Sequence, residues 1–150
     1  MTQIMAQLFV AEPPAVYLVR PALVVDASLL AACIFGEAAR DVAEARLRGC
    51  SLHAPGLIDY ELSNVAVTKL RRNDLTLETA TQALAEFSMM TLERHDPNPD
   101  EVVAIASRYR LSAYDAAYLW LAGSIKAPLA TFDRQLADAA SDYLGKLPAI

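Results

Sequence analysis

Leu23-Val24-Val25 runs apolar without a polar break and stops on Asp26. A strand with one wet face alternates apolar with polar residues. A strand that is apolar throughout is covered on both faces, the condition of a parallel sheet lying between helices. Short runs of this kind recur along the chain. Ser51-Leu52-His53-Ala54 is a second strand segment, closed by Pro55, and Met90-Thr91-Leu92 is a weaker third. Ala127-Pro128-Leu129-Ala130-Thr131 is a fourth, with its proline at the start, where a missing N–H matters least. Helical patterns separate them, over residues 28–35, 37–48, 57–72, 76–88, 100–109, 112–124 and 133–140. Gly49 stops the second of these, and Pro97-Asn98-Pro99 is the clearest loop. In 57–72, Ile58, Leu62, Ala66 and Leu70 recur every four residues as an apolar stripe. Tyr143-Leu144 and Leu147 are expected to add an edge strand. The alternation predicts an α/β fold, three layers deep, with a four- or five-stranded mainly parallel sheet.

The 150 residues suit one domain, and a hydrophobic share of 55% supplies its core. The positive mean hydropathy, +0.25, comes from alanine, leucine and valine spread along amphipathic segments. The longest apolar stretches fall far short of the ~20 residues that span a bilayer. Residues 1–22 do not read as a secretory signal: the first basic residue is Arg20, and Glu12, Pro13 and Pro14 break the apolar run. They are taken as an N-terminal extension to a domain over 23–150. Cys33 and Cys50 have no C-x-x-C spacing, which leaves a zinc site unsupported and favours a reduced, cytoplasmic setting. The net charge of −5 argues against a protein that coats DNA. It does not exclude a nuclease, because metal-binding acids add to the negative count.

Four acids stand in distinctive contexts: Asp26, Glu61, Asp115 and Asp133. Each has an ordinary explanation. Asp26 and Asp133 follow strand segments and precede helices, where aspartate is a common N-cap. Ser112-x-x-Asp115 fits a capping box with Asp in place of Glu. Glu61 lies within a helical pattern and shares a narrow polar stripe with Asn64 and Thr68. Ligands in open α/β sheets, however, bind beyond the carboxyl ends of the strands, where Asp26 and Asp133 fall. Carboxylates gathered there repel each other, and a divalent cation removes that penalty.

The ordered set of motifs resembles the PIN domain, and most closely the VapC-type toxins of bacterial toxin–antitoxin pairs. The matching pieces are Val24-Val25-Asp26-Ala27-Ser28, then Ala54-Pro55 with Tyr60-Glu61-Leu62-x-Asn64, then Ser112-x-Tyr114-Asp115-Ala116-x-Tyr118, then Leu129-x-Thr131-x-Asp133. They cover about residues 23–148. The resemblance implies a PIN-like fold and a metal-dependent endoribonuclease that arrests translation. Asp26, Glu61, Asp115 and Asp133 would hold one or two Mg²⁺ ions, or Mn²⁺, and an all-oxygen donor set suits such hard cations. Ser28, Asn64 and Thr131 would orient carboxylates or a metal-bound water. The implied partners are RNA, a cognate antitoxin and a second copy of the chain, with no membrane. The apolar residues Leu29, Leu30, Ile34 and Phe35 either receive an antitoxin helix or belong to the core.

His53 and His95 read as ordinary strand-end or loop residues, and Tyr60, Tyr114 and Tyr118 as core. Lys69, Arg71, Arg72, Arg108, Arg110 and Arg134 are the basic residues available to phosphate. Three rival readings stay open: a PIN nuclease of RNA processing with no toxin role, an inactive PIN-like binding module, and a phosphoacceptor domain. The last wants an adjacent acidic pair, which Val24-Val25-Asp26 does not offer.

Overall fold

The computed structural model of the chain describes Ala11 and residues 19–146. Four strands form one sheet: β1 (Ala22–Val25), β2 (Ser51–Pro55), β3 (Leu92–His95) and β4 (Leu129–Ala130). Their spatial order is β3-β2-β1-β4, and every neighbouring pair is parallel. Leu23, Val24 and Val25 are wholly buried, the coverage that their unbroken apolar run predicts. Two helices fill each crossover. α1 (Ala27–Ile34) and α2 (Arg40–Leu47) join β1 to β2, and α3 (Ile58–Arg71) and α4 (Leu77–Met89) join β2 to β3. α5 (Pro99–Tyr109) and α6 (Ala113–Ile125) join β3 to β4, and α7 (Arg134–Gly145) follows.

Two apolar clusters make the fold a three-layer α/β/α sandwich. One joins the sheet to α1, to Ile58 and Leu62 of α3 and to Phe87 of α4. The other joins Val102 and Ile105 of α5, Ala116, Ala117 and Leu119 of α6, and Ala139 and Ala140 of α7. Helix α6 also sends Tyr118, Leu121 and Ala122 into the first cluster, which is why its sequence is apolar nearly all round. The chain builds outward from β1 through β2 to β3, then returns to lay β4 on the other side of β1. That reversal opens a crevice beyond the carboxyl ends of β1 and β4.

Some expected elements differ. Tyr143 and Leu144 lie in α7, not in an edge strand, and Leu147 lies outside the described residues. The helical spacing of Leu136, Ala139, Ala140 and Tyr143 simply continues, and the Tyr143 ring meets Tyr109 edge-on. Gly123 makes room for it, since a Cβ there would stand 2.7 Å from Tyr143 Cε1. The third strand runs over Leu92–His95, later than residues 90–92. It is an edge strand with Glu93 and Arg94 exposed, so an apolar criterion passes over it. Helix α2 starts at Arg40, three residues after the expected Glu37.

Candidate active site

The crevice between β1 and β4 holds Asp26. Val25 pairs with Ala130, so one further step along the two strands brings residues 26 and 131 together. Asp26 Oδ1 accepts from Leu29 N at 3.1 Å, capping α1, and from Ser28 Oγ at 2.7 Å. Its Oδ2 accepts from Thr131 Oγ1 at 2.5 Å. The same two hydroxyls accept from the loop beyond β4: Phe132 N donates to Ser28 Oγ at 3.0 Å, and Asp133 N to Thr131 Oγ1 at 2.9 Å. Ser28 and Thr131 thus fix both the carboxylate and the backbone that carries Asp133. Asp26 is 6% exposed and is the only charged side chain buried among the described residues. Burial pushes its carboxyl above the ordinary range, its three donors pull it partly back, and nearby Asp133 raises it again.

Glu61 occupies the first turn of α3 rather than the middle of a helix. Tyr118 Oη donates to its Oε1 at 2.7 Å. Tyr118 is core, as expected, but its hydroxyl reaches out of the core to position an acid. Asp115 lies in the first turn of α6, one turn before Tyr118, where Ser112 Oγ accepts from Asp115 N at 3.1 Å. The serine makes the cap, which leaves the Asp115 carboxylate for the site. Asp133 caps α7 through Oδ1, with Leu136 N donating at 2.9 Å, and is exposed. The capping readings of Asp26 and Asp133 therefore hold, and each cap uses one oxygen of two.

All four acids sit at the amino-terminal caps or first turns of helices, where the helix dipole offers about half a positive charge. Even so, burial first and like charge second push Glu61 and Asp115 above the ordinary carboxylate range. Glu61 feels Asp115 and Asp26, and Asp115 feels Asp133 and Asp26. The four are coupled but spread: no three of them bring ligand oxygens within 4.8 Å of one another. Such a spread suits a hard cation that binds through one or two carboxylates and keeps several of its waters. The donor set fits a divalent ion of that kind, because it offers only oxygens and their mutual repulsion calls for positive charge.

Asn64 is exposed one turn along α3 from Glu61 and makes no hydrogen bond to the four acids. With Leu57, Tyr60, Glu61 and Tyr114 it lines a cavity of about 530 Å³. Two tyrosines depart from expectation: Tyr60 is 82% exposed and Tyr114 66%, so neither is core. Both lie in first turns beside an acid. Lys69 is taken up by Glu37 at 3.1 Å and by the Phe35 ring, whereas Arg134, beside Asp133, is almost fully exposed. Leu29 and Leu30 are core, while Ile34 and Phe35 are half-buried.

The profile of the PIN domain matches residues 23–142. The chain is 34% identical over 121 residues to Ribonuclease VapC3 of Pyrobaculum aerophilum, across 77% of this chain and 92% of that protein. It is 31% identical over 123 residues to Ribonuclease VapC9 of Mycobacterium tuberculosis, across 77% and 89%. The crystal structure of PAE2754 from Pyrobaculum aerophilum superposes with a TM-score of 0.64 at 27% identity, covering 85% of this chain and 96% of that one.

Proposed function

The chain belongs to the PIN domain family, and on that premise we propose that it is a metal-dependent endoribonuclease, the toxin of a toxin–antitoxin pair. It hydrolyses RNA phosphodiester bonds and so inhibits translation. The observation that carries the reading is Asp26: a buried, raised carboxylate, held by two hydroxyls at the strand-order reversal, with three more acids in electrostatic reach. Asp26, Glu61, Asp115 and Asp133 hold one or two Mg²⁺ ions, which Mn²⁺ can replace. The bound metal supplies an activated water and neutralises charge on the leaving oxygen. The chain's own groups set the geometry. Ser28 and Thr131 fix the Asp26 rotamer, Tyr118 fixes Glu61, and the amino-terminal turns of α1, α3, α6 and α7 offset the gathered charge.

The substrate is unpaired or looped RNA, whose splayed bases can stack on aromatic rings. The exposed Tyr60 and Tyr114, lining one cavity with Glu61 and Asn64, support that choice. Asn64 orients a metal-bound water or a phosphate from the same cavity. In the cytoplasm the activity is held in check by a protein antitoxin, and Ile34 and Phe35, which pack against the core but stay partly exposed, are what remains of the expected apolar docking surface. A toxin homodimer completes the assembly. Among the described residues no helix is long and apolar enough to cross a membrane.

The test is cleavage of total cellular RNA by the purified, antitoxin-free protein, in Mg²⁺ and in EDTA, beside Asp26→Asn. Discrete fragments that need the metal and vanish in the variant are expected. Folded protein that cuts no RNA in Mg²⁺ would overturn the nuclease. Cleavage without growth arrest on induction in the host would leave the nuclease and remove the toxin.

A further inference from the structure

We propose that His53, Glu93 and His95 form a second metal site, built for a borderline transition ion of the zinc class and separate from the four acids. His53 lies on β2, and Glu93 and His95 lie on β3. The parallel register sets His53 beside Glu93 and Pro55 beside His95. Residues 93 and 95 are two apart on a strand, so all three side chains leave the same face of the sheet. Arg94 points to the other face, where it makes a bidentate pair with Asp59 at 2.7 and 2.8 Å. The cation nearest in sequence is thereby kept off the ligand face.

The distances are those of a ligand set. His53 Nδ1 stands 2.9 Å from His95 Nε2 and 3.6 Å from Glu93 Oε2, and His95 Nε2 stands 3.9 Å from Glu93 Oε1. Ligands about 2.0–2.1 Å from a tetrahedral ion stand about 3.3–3.4 Å from one another, so the set closes on an ion with shifts of about half an ångström. Among the described residues this is the one group of three or more His, Cys, Asp or Glu ligand atoms that all lie within 4.8 Å of one another. The far nitrogen of His53 is already engaged, with Ser51 Oγ 3.2 Å from Nε2. A hydrogen bond at the far nitrogen is what fixes ring and tautomer in metal-binding histidines. With Ser51 Oγ accepting from Nε2–H, Nδ1 is the acceptor that His95 Nε2–H reaches in the metal-free chain, and the ion takes the place of that proton.

Ligand chemistry separates this site from the acid cluster. Two imidazoles with one carboxylate select zinc, iron, nickel or copper, whereas the all-oxygen acids select magnesium. The rings are largely buried, with side chains 12% and 23% exposed, and Glu93 is 64% exposed. The ion's fourth position therefore opens to water. Bound there, the ion ties the edge strand β3 to β2. Cysteine spacing gives no sign of such a site, because its ligands lie on strands some forty residues apart.

The test is a titration of the chelator-stripped full chain with Co²⁺, read by its visible absorption, followed by Zn²⁺ displacement and thermal denaturation. One Co²⁺ with ligand-field bands is expected, displaced by Zn²⁺ but not by Mg²⁺, with a melting temperature raised by Zn²⁺. His95→Gln should weaken binding by more than about 100-fold, beyond the 10–100-fold that loss of an outer partner costs, and Ser51→Ala by about tenfold. Glu93→Gln changes an exposed side chain, keeps the test alive if His95→Gln fails to fold, and should lose the bands while Mg²⁺-dependent RNA cleavage persists. Asp115→Asn should retain them. Co²⁺ affinity unchanged in His95→Gln or Glu93→Gln, bands lost in Asp115→Asn, or no micromolar binding by the wild type would each overturn the site.

Discussion

Tyr118→Phe isolates one oxygen. The ring is 1% exposed, and phenylalanine fills the same space, so packing is kept. What goes is the Oη hydrogen bond to Glu61 Oε1 at 2.7 Å. A hydrogen bond to a charged partner contributes about 1.5–3 kcal/mol net, and more is lost when the abandoned group is buried. Glu61 is only half-buried and water can reach its freed oxygen, so the stability cost is about 1 kcal/mol, or about 2–4 °C in melting temperature. The larger effect falls on the metal. Removing the partner of a ligand costs about 10–100-fold in metal affinity. Glu61 must be ionised to bind, and the Tyr118 donor is the one group that pulls its raised carboxyl back down. Without it the carboxyl rises further, so the acid limb of Mg²⁺-dependent cleavage moves to higher pH. The assay is the initial cleavage rate of an unpaired RNA oligonucleotide against Mg²⁺ concentration at several pH values, with melting measured in parallel. The Mg²⁺ midpoint should rise at least about tenfold, with the rate largely restored at saturating metal. A melting temperature that falls as expected, with Mg²⁺ midpoint and acid limb unmoved, would refute Glu61 as a ligand held by Tyr118.

Thr131→Val removes the donor to Asp26 and the acceptor for Asp133 N; cleavage should fall about 10–100-fold, and Thr131→Ser should restore it. Equal rates for valine and threonine would contradict the positioning role. Asp115→Asn should raise the melting temperature in EDTA at neutral pH. Its carboxyl is raised on folding, so its stabilising contribution is complete below the unfolded value near 3.9 and is lost as pH rises through the folded value. The advantage of the variant should shrink toward pH 4, and Mg²⁺ should no longer stabilise it; a pH-independent gain would argue against the repulsion. Tyr60→Ala and Tyr114→Ala, both at exposed positions, should leave stability within about 0.5 kcal/mol. Each should raise KM for unpaired RNA by about tenfold, in line with the loss of one stacked base. An unchanged KM would remove the stacking role.

Where an element is local, the sequence declares it. β1 is legible because three successive apolar residues admit only burial on both faces, and Asp26 because a cap follows such a strand. Ser28 and Thr131, read as neighbours of the acids, do hydrogen-bond Asp26. Strand β3 is misplaced by the apolar criterion because an edge strand carries charge, here Glu93 and Arg94. The exposure of Tyr60 and Tyr114 is hidden because an aromatic in a helical pattern reads as core until its face is known. The Tyr118 hydroxyl and the pairing of His53 with His95 depend on register between distant segments, which periodicity does not encode. The topological reversal is likewise invisible locally, yet it is what lays Thr131 beside Asp26.

The central claim is that the four acids hold the metal that cleaves RNA. Calorimetric titration with Mg²⁺, on preparations also assayed for cleavage, tests it most directly in the wild type and in an Asp26→Asn, Asp115→Asn double variant. The imidazole site does not interfere, because its ligands do not favour Mg²⁺. One or two Mg²⁺ bound by the active wild type, with binding and cleavage both lost from a variant of unchanged circular dichroism, is the predicted result. Mg²⁺ binding that survives in the double variant, or cleavage that does, would contradict it.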